Sequence, residues 1–372
     1  CQVAAADGSR LGYDHLVLAT GSRPAMTVRG PGVLALRTRA DADAILGAQA
    51  QACAAVIIGA GLLGLELADA LRSRGWRVAI VQRSDRVMGR QLDATAAGHL
   101  AAILRERGID LHLNAAVGSL EPGGVILADG TRLPADRVIV ATGTEANDDL
   151  ARDAGLPCER GICVDASMTT ADPRISAIGE CAVMRDDRTT GRPDDRTSQR
   201  VGTTPGAAAQ AEALSAALAG DPMARWRPVP LPNILRINGV QLTAVGVAEE
   251  QPGDEVVVLH DARRRRYLKA VVRADRVVGA ICLGDLGPWP QLLDLCQSGV
   301  ELDELRERIL APGGGQAVAG RLVCSCLQVG EESIRQAAQA NGRDAARVCA
   351  ATRAGTGCGS CRPEVARICA AV

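Results

Sequence analysis

Four cysteines near the C-terminal end are spaced for metal chemistry. Cys324-Ser325-Cys326 is followed, after an interval of 31 residues, by Cys358-Gly359-Ser360-Cys361. Four thiolates are the number an iron-sulfur cluster takes. They equally suit a structural tetrahedral zinc site. The small Gly and Ser neighbours leave backbone N–H groups free to face cluster sulfurs. The 13 Cys of the chain are not spaced like a secreted disulfide framework, and their grouping at one end indicates metal ligation in a reducing, cytoplasmic compartment. Cys349 and Cys369 fit better as small core residues than as ligands.

A second group of residues is suited to holding a dinucleotide. Gly59-Ala60-Gly61-Leu62-Leu63-Gly64 follows an apolar strand predicted over Ala54 to Ile58 and opens a helix predicted to run to about Arg74. In that setting Gly59, Gly61 and Gly64 let backbone approach a pyrophosphate, while the helix start at Leu62 and Leu63 supplies N–H donors and a favourable dipole. Glu66, one turn further on, and Gly143 join the same NAD(P) set. The next strand, Arg77 to Val81, ends in Gln82-Arg83-Ser84-Asp85-Arg86, with no carboxylate where an NAD site usually reads the ribose. Arg83 and Arg86 could instead pair with a 2′-phosphate, which leans towards NADPH; the alternative is that both are solvated surface charges.

The elements that must position these residues show a repeat. DGSRLGYDHLVLATGSRP (residues 7–24) and DGTRLPADRVIVATGTEAN (residues 129–147) share an Asp-Gly turn, an apolar strand and Ala-Thr-Gly, 122 residues apart. Between the copies lie the glycine loop, a helix over about 94–107, and strands near 111–113 and 125–127, the makings of a doubly wound α/β unit. Residues 185–203 are charged and aperiodic and predict a solvated loop. A helix then begins at Pro205-Gly206. Strand-like patterns from about Val229 to Leu283 include a hairpin signal at Asn238-Gly239, followed by amphipathic helices over 289–296 and 302–309 and the linker APGGGQAVAG. Cys158 and Cys163 do not form a convincing redox disulfide, because Cys163 sits in a short apolar strand.

Composition limits the alternatives. The chain has 372 residues, room for two or three domains, and a hydrophobic fraction of 47% allows each a core. A net charge of -1 with well-mixed signs gives no nucleic-acid footprint, and no apolar run approaches the roughly 20 residues of a membrane span. Phe is absent, and of the 42 basic residues only Lys269 is a lysine.

The two ATG turns, together with Thr169 to Ala182 (TTADPRISAIGECA), resemble the two-dinucleotide-binding-domain flavoprotein disulfide reductase fold. The resemblance implies FAD as the second dinucleotide. Its site would be lined by Ala19, Thr20 and Gly21, by Gly179 and Glu180, and by the helix start at Pro205 and Gly206, whose dipole would stabilise an anionic reduced flavin. That family's first GxGxxG has no match here, so the chain is expected to be N-terminally truncated. CxC with a distant CxxC, in GTGCGSCRPEV, closely resembles the 2Fe-2S domain named after bacterioferritin-associated ferredoxin. A flavoprotein delivering electrons favours that cluster over redox-silent zinc.

The whole combination, with local matches at MGRQLD (88–93), GECA (179–182) and LGD (283–285), is similar to the family of NAD(P)H-dependent nitrite reductase large subunits and assimilatory nitrate reductase electron-transfer subunits. The layout implied is a partial FAD-binding domain (1–50), an NAD(P)-binding domain (51–145), a return segment of the FAD domain (146–220), an α+β domain of the rubredoxin-reductase type (221–312), a linker (313–320) and a small helical 2Fe-2S domain (321–372). The activity implied is an electron relay from NAD(P)H through FAD and the 2Fe-2S cluster to a nitrite or nitrate reductase centre, with no side chain assigned to acid-base work. That centre would lie on another subunit or domain, since no sirohaem domain is present and this chain alone is not expected to reduce nitrite. Alternatives are a reductase for another acceptor, rubredoxin-like or amine-oxidising, and an iron- or redox-sensing protein with a degenerate flavin core.

Overall fold

Strand Ala54–Ile58 is buried along its whole length, as a central parallel strand covered on both faces must be. It lies in a five-stranded parallel sheet, in the order Val33–Ala35, Arg137–Val140, Ala54–Ile58, Arg77–Val81 and Ile109–His112. Helix Leu62–Arg72 buries Leu65, Leu67, Ala68 and Leu71, and helix Ala94–Glu106 buries Ala96, Ala97, Leu100, Ala101 and Leu104. Both stripes have the i, i+3, i+4 spacing that the 3.6-residue period requires. A three-stranded antiparallel sheet, Val117–Glu121, Gly124–Leu127 and Arg132–Pro134, adds a second small core.

The computed structural model describes residues 1–47, 53–185, 198–310, 318–324, 327–357 and 359–372. The parallel sheet belongs to a unit made of Pro24–Gly143 and Pro230–Val372; Cys1–Arg23 and Thr144–Val229 make the other. In the latter, Leu16–Leu18 runs parallel to Ile175–Ala177, and Ile162–Val164 runs parallel to Ala182–Arg185. Helix Thr204–Leu218 is capped by Thr203, one or two residues before the predicted start.

Within the larger unit, Asn233–Ile237 and Val240–Gly246 form the predicted hairpin, with Gly239 at φ +69°. They continue an antiparallel sheet through Arg276–Leu283, Arg266–Arg273 and Glu255–Asp261. Its two faces serve different cores. Leu235, Leu242, Ala244, Tyr267 and Ile281 pack with the glycine-loop domain. Val245, Leu268, Ala270, Ala280 and Cys282 pack with helix Trp289–Ser298 and with the C-terminal helices Glu331–Ala340, Ala345–Thr352 and Arg362–Ala370. Trp289 is fully buried in that second core, which does without Phe.

Two expectations are corrected. The helix predicted over 302–309 is a 3₁₀ segment, Asp303–Arg308, whose first residue takes φ +39°. The charged stretch 185–203 is not all loop, since Ala182–Arg185 and Ser198–Arg200 pair antiparallel. Its centre, and most of the 311–320 linker, lie outside the described residues. Among the described residues no helix is long and apolar enough to cross a membrane.

Candidate functional site: two nucleotide turns and a cysteine cavity

The glycine loop is fixed by close backbone approach. A Cβ on Gly64 would lie 2.1 Å from the Gly59 carbonyl oxygen, and one on Gly59 would lie 2.5 Å from the Ala141 carbonyl oxygen. Gly59 also sits at φ +113°, a conformation L side chains rarely adopt. Gly61, the N-cap residue of helix Leu62–Arg72, faces open space and offers no side-chain cap, and the helix's second residue, Leu63, is exposed. Leu62 is half-buried against the core. The N–H groups of the first turn are therefore presented where an anion would be held.

The Ala60 N–H donates to Gln82 Oε1 at 2.9 Å, so the residue in the carboxylate's place ties the strand end to the loop. Arg86 is committed to Asp85 at 3.0 Å and to Glu249. Arg83 is exposed and makes no ion pair among the described residues. Glu66 points elsewhere: it accepts the Arg236 backbone N–H at 2.9 Å from the hairpin strand. Burial pushes its carboxyl pKa up, offset only in part by that bond and the Arg236 charge.

The two ATG turns make the same pair of bonds. Thr142 Oγ1 donates to the Ala25 carbonyl at 2.8 Å, and the Ala25 N–H donates to the Gly143 carbonyl at 2.9 Å. In the other unit, Thr20 Oγ1 donates to the Asn147 carbonyl at 2.6 Å, and the Asn147 N–H donates to the Gly21 carbonyl at 3.0 Å. Gly143 at φ +112° and Gly21 at φ +69° both face open space, and Ala19 and Thr20 are exposed.

Three segments predicted for the flavin meet in the smaller unit. Ser22 Oγ donates to Glu180 Oε2 at 2.7 Å, joining the ATG turn to Gly179-Glu180. The Gly179 N–H donates to Gln210 Oε1 at 2.7 Å, joining that segment to the helix behind Pro205 and Gly206. Gln210 was missed in the sequence. It is fully buried, on a stripe with Gly206 and Leu214, and its Nε2 has no partner among the described residues. An amide on an otherwise apolar helix stripe is the signal that marks it. An orphaned buried donor on the side chain that holds the Gly179 N–H fits a bound group with polar acceptors.

At the C-terminal end, Cys324 closes strand Leu322–Cys324 and Cys361 is the N-cap residue of helix Arg362–Ala370, where the helix dipole favours a thiolate. Both line one cavity of about 570 Å³ with Gln328, Ser360, Leu286 and the hairpin 234–243. Two soft thiol donors on one cavity, beside the open backbone of Gly359, fit a metal cluster. Cys326 and Cys358 lie outside the described residues.

The family model described as pyridine nucleotide-disulphide oxidoreductase matches residues 1–211, more than half of the chain. The chain belongs to that family. Two further models match in order: the rubredoxin NAD+ reductase C-terminal domain over residues 232–300 and the BFD-like [2Fe-2S] binding domain over residues 322–371. This family member thus combines a mixed α/β FAD- and NAD(P)H-binding oxidoreductase domain with a separate small helical domain for a 2Fe-2S cluster.

The chain is 32% identical to the nitrite reductase [NAD(P)H] of Bacillus subtilis (strain 168), over 96% of this chain and 45% of that protein. It is 30% identical to the assimilatory nitrate reductase electron transfer subunit of the same organism, over 95% of this chain and 46% of that protein. The chain thus spans about half the length of these curated relatives. Among solved structures it resembles the covalent putidaredoxin reductase–putidaredoxin complex, with a TM-score of 0.71 and 28% identity over 85% of this chain and 78% of that chain.

Proposed function

We propose that this chain takes a hydride from NAD(P)H and passes single electrons through its C-terminal cluster to a separate carrier protein of the ferredoxin or rubredoxin type. The observation that carries this reading is the presence, in one chain, of a nucleotide-binding oxidoreductase module over 1–211 and a cluster module over 322–371. When bound, flavin and cluster supply the conversion of a two-electron hydride into single electrons. The residues given to the nicotinamide dinucleotide are Gly59, Gly61, Leu62, Leu63, Gly64 and Gly143: Gly61 and Gly143 offer open backbone, Leu62 to Gly64 the N–H groups of the helix's first turn, and Gly59 and Gly64 the close packing that shapes the loop, with Arg83 for a 2′-phosphate. Arg86 and Glu66 support the loop's surroundings through Glu249 and Arg236. Ala19, Thr20, Gly21, Gly179, Glu180, Pro205 and Gly206 are given to the flavin, with Gln210 added. Cys324, Cys326, Cys358 and Cys361 are given to the cluster.

The carrier-protein reading is supported by the match to a rubredoxin NAD+ reductase C-terminal domain and by the likeness to a reductase solved together with its putidaredoxin partner. Delivery to a nitrite or nitrate reductase centre is the second reading, favoured by relatives that match over 95% and 96% of this chain, cluster domain included. Steady-state NADPH and NADH oxidation by the FAD- and iron-loaded protein separates the two. The first reading expects turnover to rise with added rubredoxin or 2Fe-2S ferredoxin, whereas a rise only with a sirohaem or molybdenum reductase partner establishes the second.

A further inference from the structure

Thr243 stands out in the cysteine cavity. It lies on strand Val240–Gly246 of the antiparallel sheet, 1% exposed, and its hydroxyl has no hydrogen-bond partner among the described residues. Strand alternation fixes its direction. Its neighbours Leu242 and Ala244 pack with the glycine-loop domain, so Thr243 and Val245 face the other side, towards the C-terminal helices. Its cross-strand partners agree: Cys282 is in that second core, and Ile234 packs against it. Thr243 lines the same cavity as Cys324 and Cys361, with Ile234, Leu286 and Leu322 among its apolar wall and Gln328 and Ser360 among its polar one.

A buried hydroxyl left unpaired beside apolar side chains carries its full desolvation penalty, so its position calls for an acceptor in the cavity. The acceptors the two thiols bring there are sulfurs. We infer that the Thr243 hydroxyl donates a hydrogen bond to a sulfur of the cluster held by the C-terminal cysteines and thereby raises its reduction potential. This deepens the cluster reading of the cavity and rests on it. A donor aimed at sulfur stabilises the added negative charge of the reduced cluster more than the oxidised one, and so favours reduction. Thr243 is a positioning and tuning residue from a different domain of the chain, with no part in ligation.

The test is a potentiometric titration of the full, iron-loaded chain followed by the electron paramagnetic resonance of the reduced cluster. Thr243→Val keeps the branched shape and removes the hydroxyl. It is expected to lower the equilibrium constant for cluster reduction by about tenfold, the effect of one hydrogen bond to a charged acceptor, which is about 59 mV for a one-electron couple. Thr243→Ser keeps the donor and is expected to retain the parent potential. Should the Val variant fail to load iron, Thr243→Ala carries the same expectation. An unchanged potential in a loaded Val or Ala variant overturns the assignment, as would a Ser variant that shifts as far as Val. A parent chain that binds zinc and shows no cluster signal after chemical reduction overturns the cluster reading itself, a result distinct from a silent Thr243.

Discussion

The glycine loop and the antiparallel sheet Asn233–Leu283 are built on opposite principles. In the loop, geometry comes from what is missing: Gly64 has no Cβ, and one placed there would meet the Gly59 carbonyl oxygen at 2.1 Å. In the sheet, geometry comes from side chains that arrive from far away in sequence. Asp93 Oδ2 accepts from Tyr267 Oη at 2.6 Å and Lys269 Nζ at 2.8 Å, and Lys269 also reaches Glu250 at 2.8 Å. The loop is a local, backbone-made surface that can receive a ligand; the sheet is a side-chain-made partition. It clamps the nucleotide domain on one face and walls the cysteine cavity with the other.

Breaking the clamp should cost most. Asp93 also caps helix Ala94–Glu106 by accepting the Ala96 N–H at 2.9 Å. Burial alone would raise its pKa, but the bonds from Lys269, Tyr267 and Ala96 outweigh it and leave the carboxyl lowered. Burial likewise pulls the Lys269 ammonium down, and its bonds to Asp93 and Glu250 outweigh that. Asp93→Ala leaves Lys269, 4% exposed, with one carboxylate partner, and removes the cap. A loss of about 3 kcal/mol is expected in chemical denaturation, the lower end for breaking a buried pair because Glu250 remains.

Crowding the loop should cost somewhat less, because only one methyl is added. Gly64→Ala forces helix Leu62–Arg72 away from Gly59 and is expected to cost about 2 kcal/mol, within the range for overpacking. Calorimetric titration with NADPH should show weakened binding as well. Full-affinity binding by this variant would mean that the loop is only a turn.

The smallest effect concerns the rim of the sheet. Arg273 makes paired bonds of 2.7 and 2.8 Å to Asp254 and pulls its carboxyl down to about 2. A depressed carboxyl stabilises above its ordinary pKa and loses that contribution as pH falls through the folded value. Thermal melting between pH 4 and pH 2 should therefore fall less steeply in Asp254→Asn than in the parent.

The same contrast decides what was legible in the sequence. Gly59, Gly61 and Gly64, the strands 54–58 and 77–81, and the Asn238-Gly239 turn follow from local sterics, and they are found where the sequence predicts them. The ATG repeat was visible too, although its reciprocal bonds to Ala25 and Asn147 were not, because these two residues stand at equivalent positions of the copies but differ in type and bond through their backbones. Lys269 was conspicuous as the one lysine but had no partner to name, since Asp93 lies 176 residues away. Thr243 was invisible for a different reason: a Thr in a strand is ordinary until its hydroxyl is seen to lack a partner. Arg86 looked like a phosphate ligand until Glu249 was found against it.

The central claim is that nicotinamide electrons reach the cysteine cavity. It is tested most directly by adding NADPH, and separately NADH, to the FAD- and iron-loaded chain under anaerobic conditions and recording electron paramagnetic resonance on rapidly frozen samples. The account predicts a reduced 2Fe-2S signal that grows as the nicotinamide absorbance falls. Nicotinamide oxidation with an oxidised, silent cluster would contradict it.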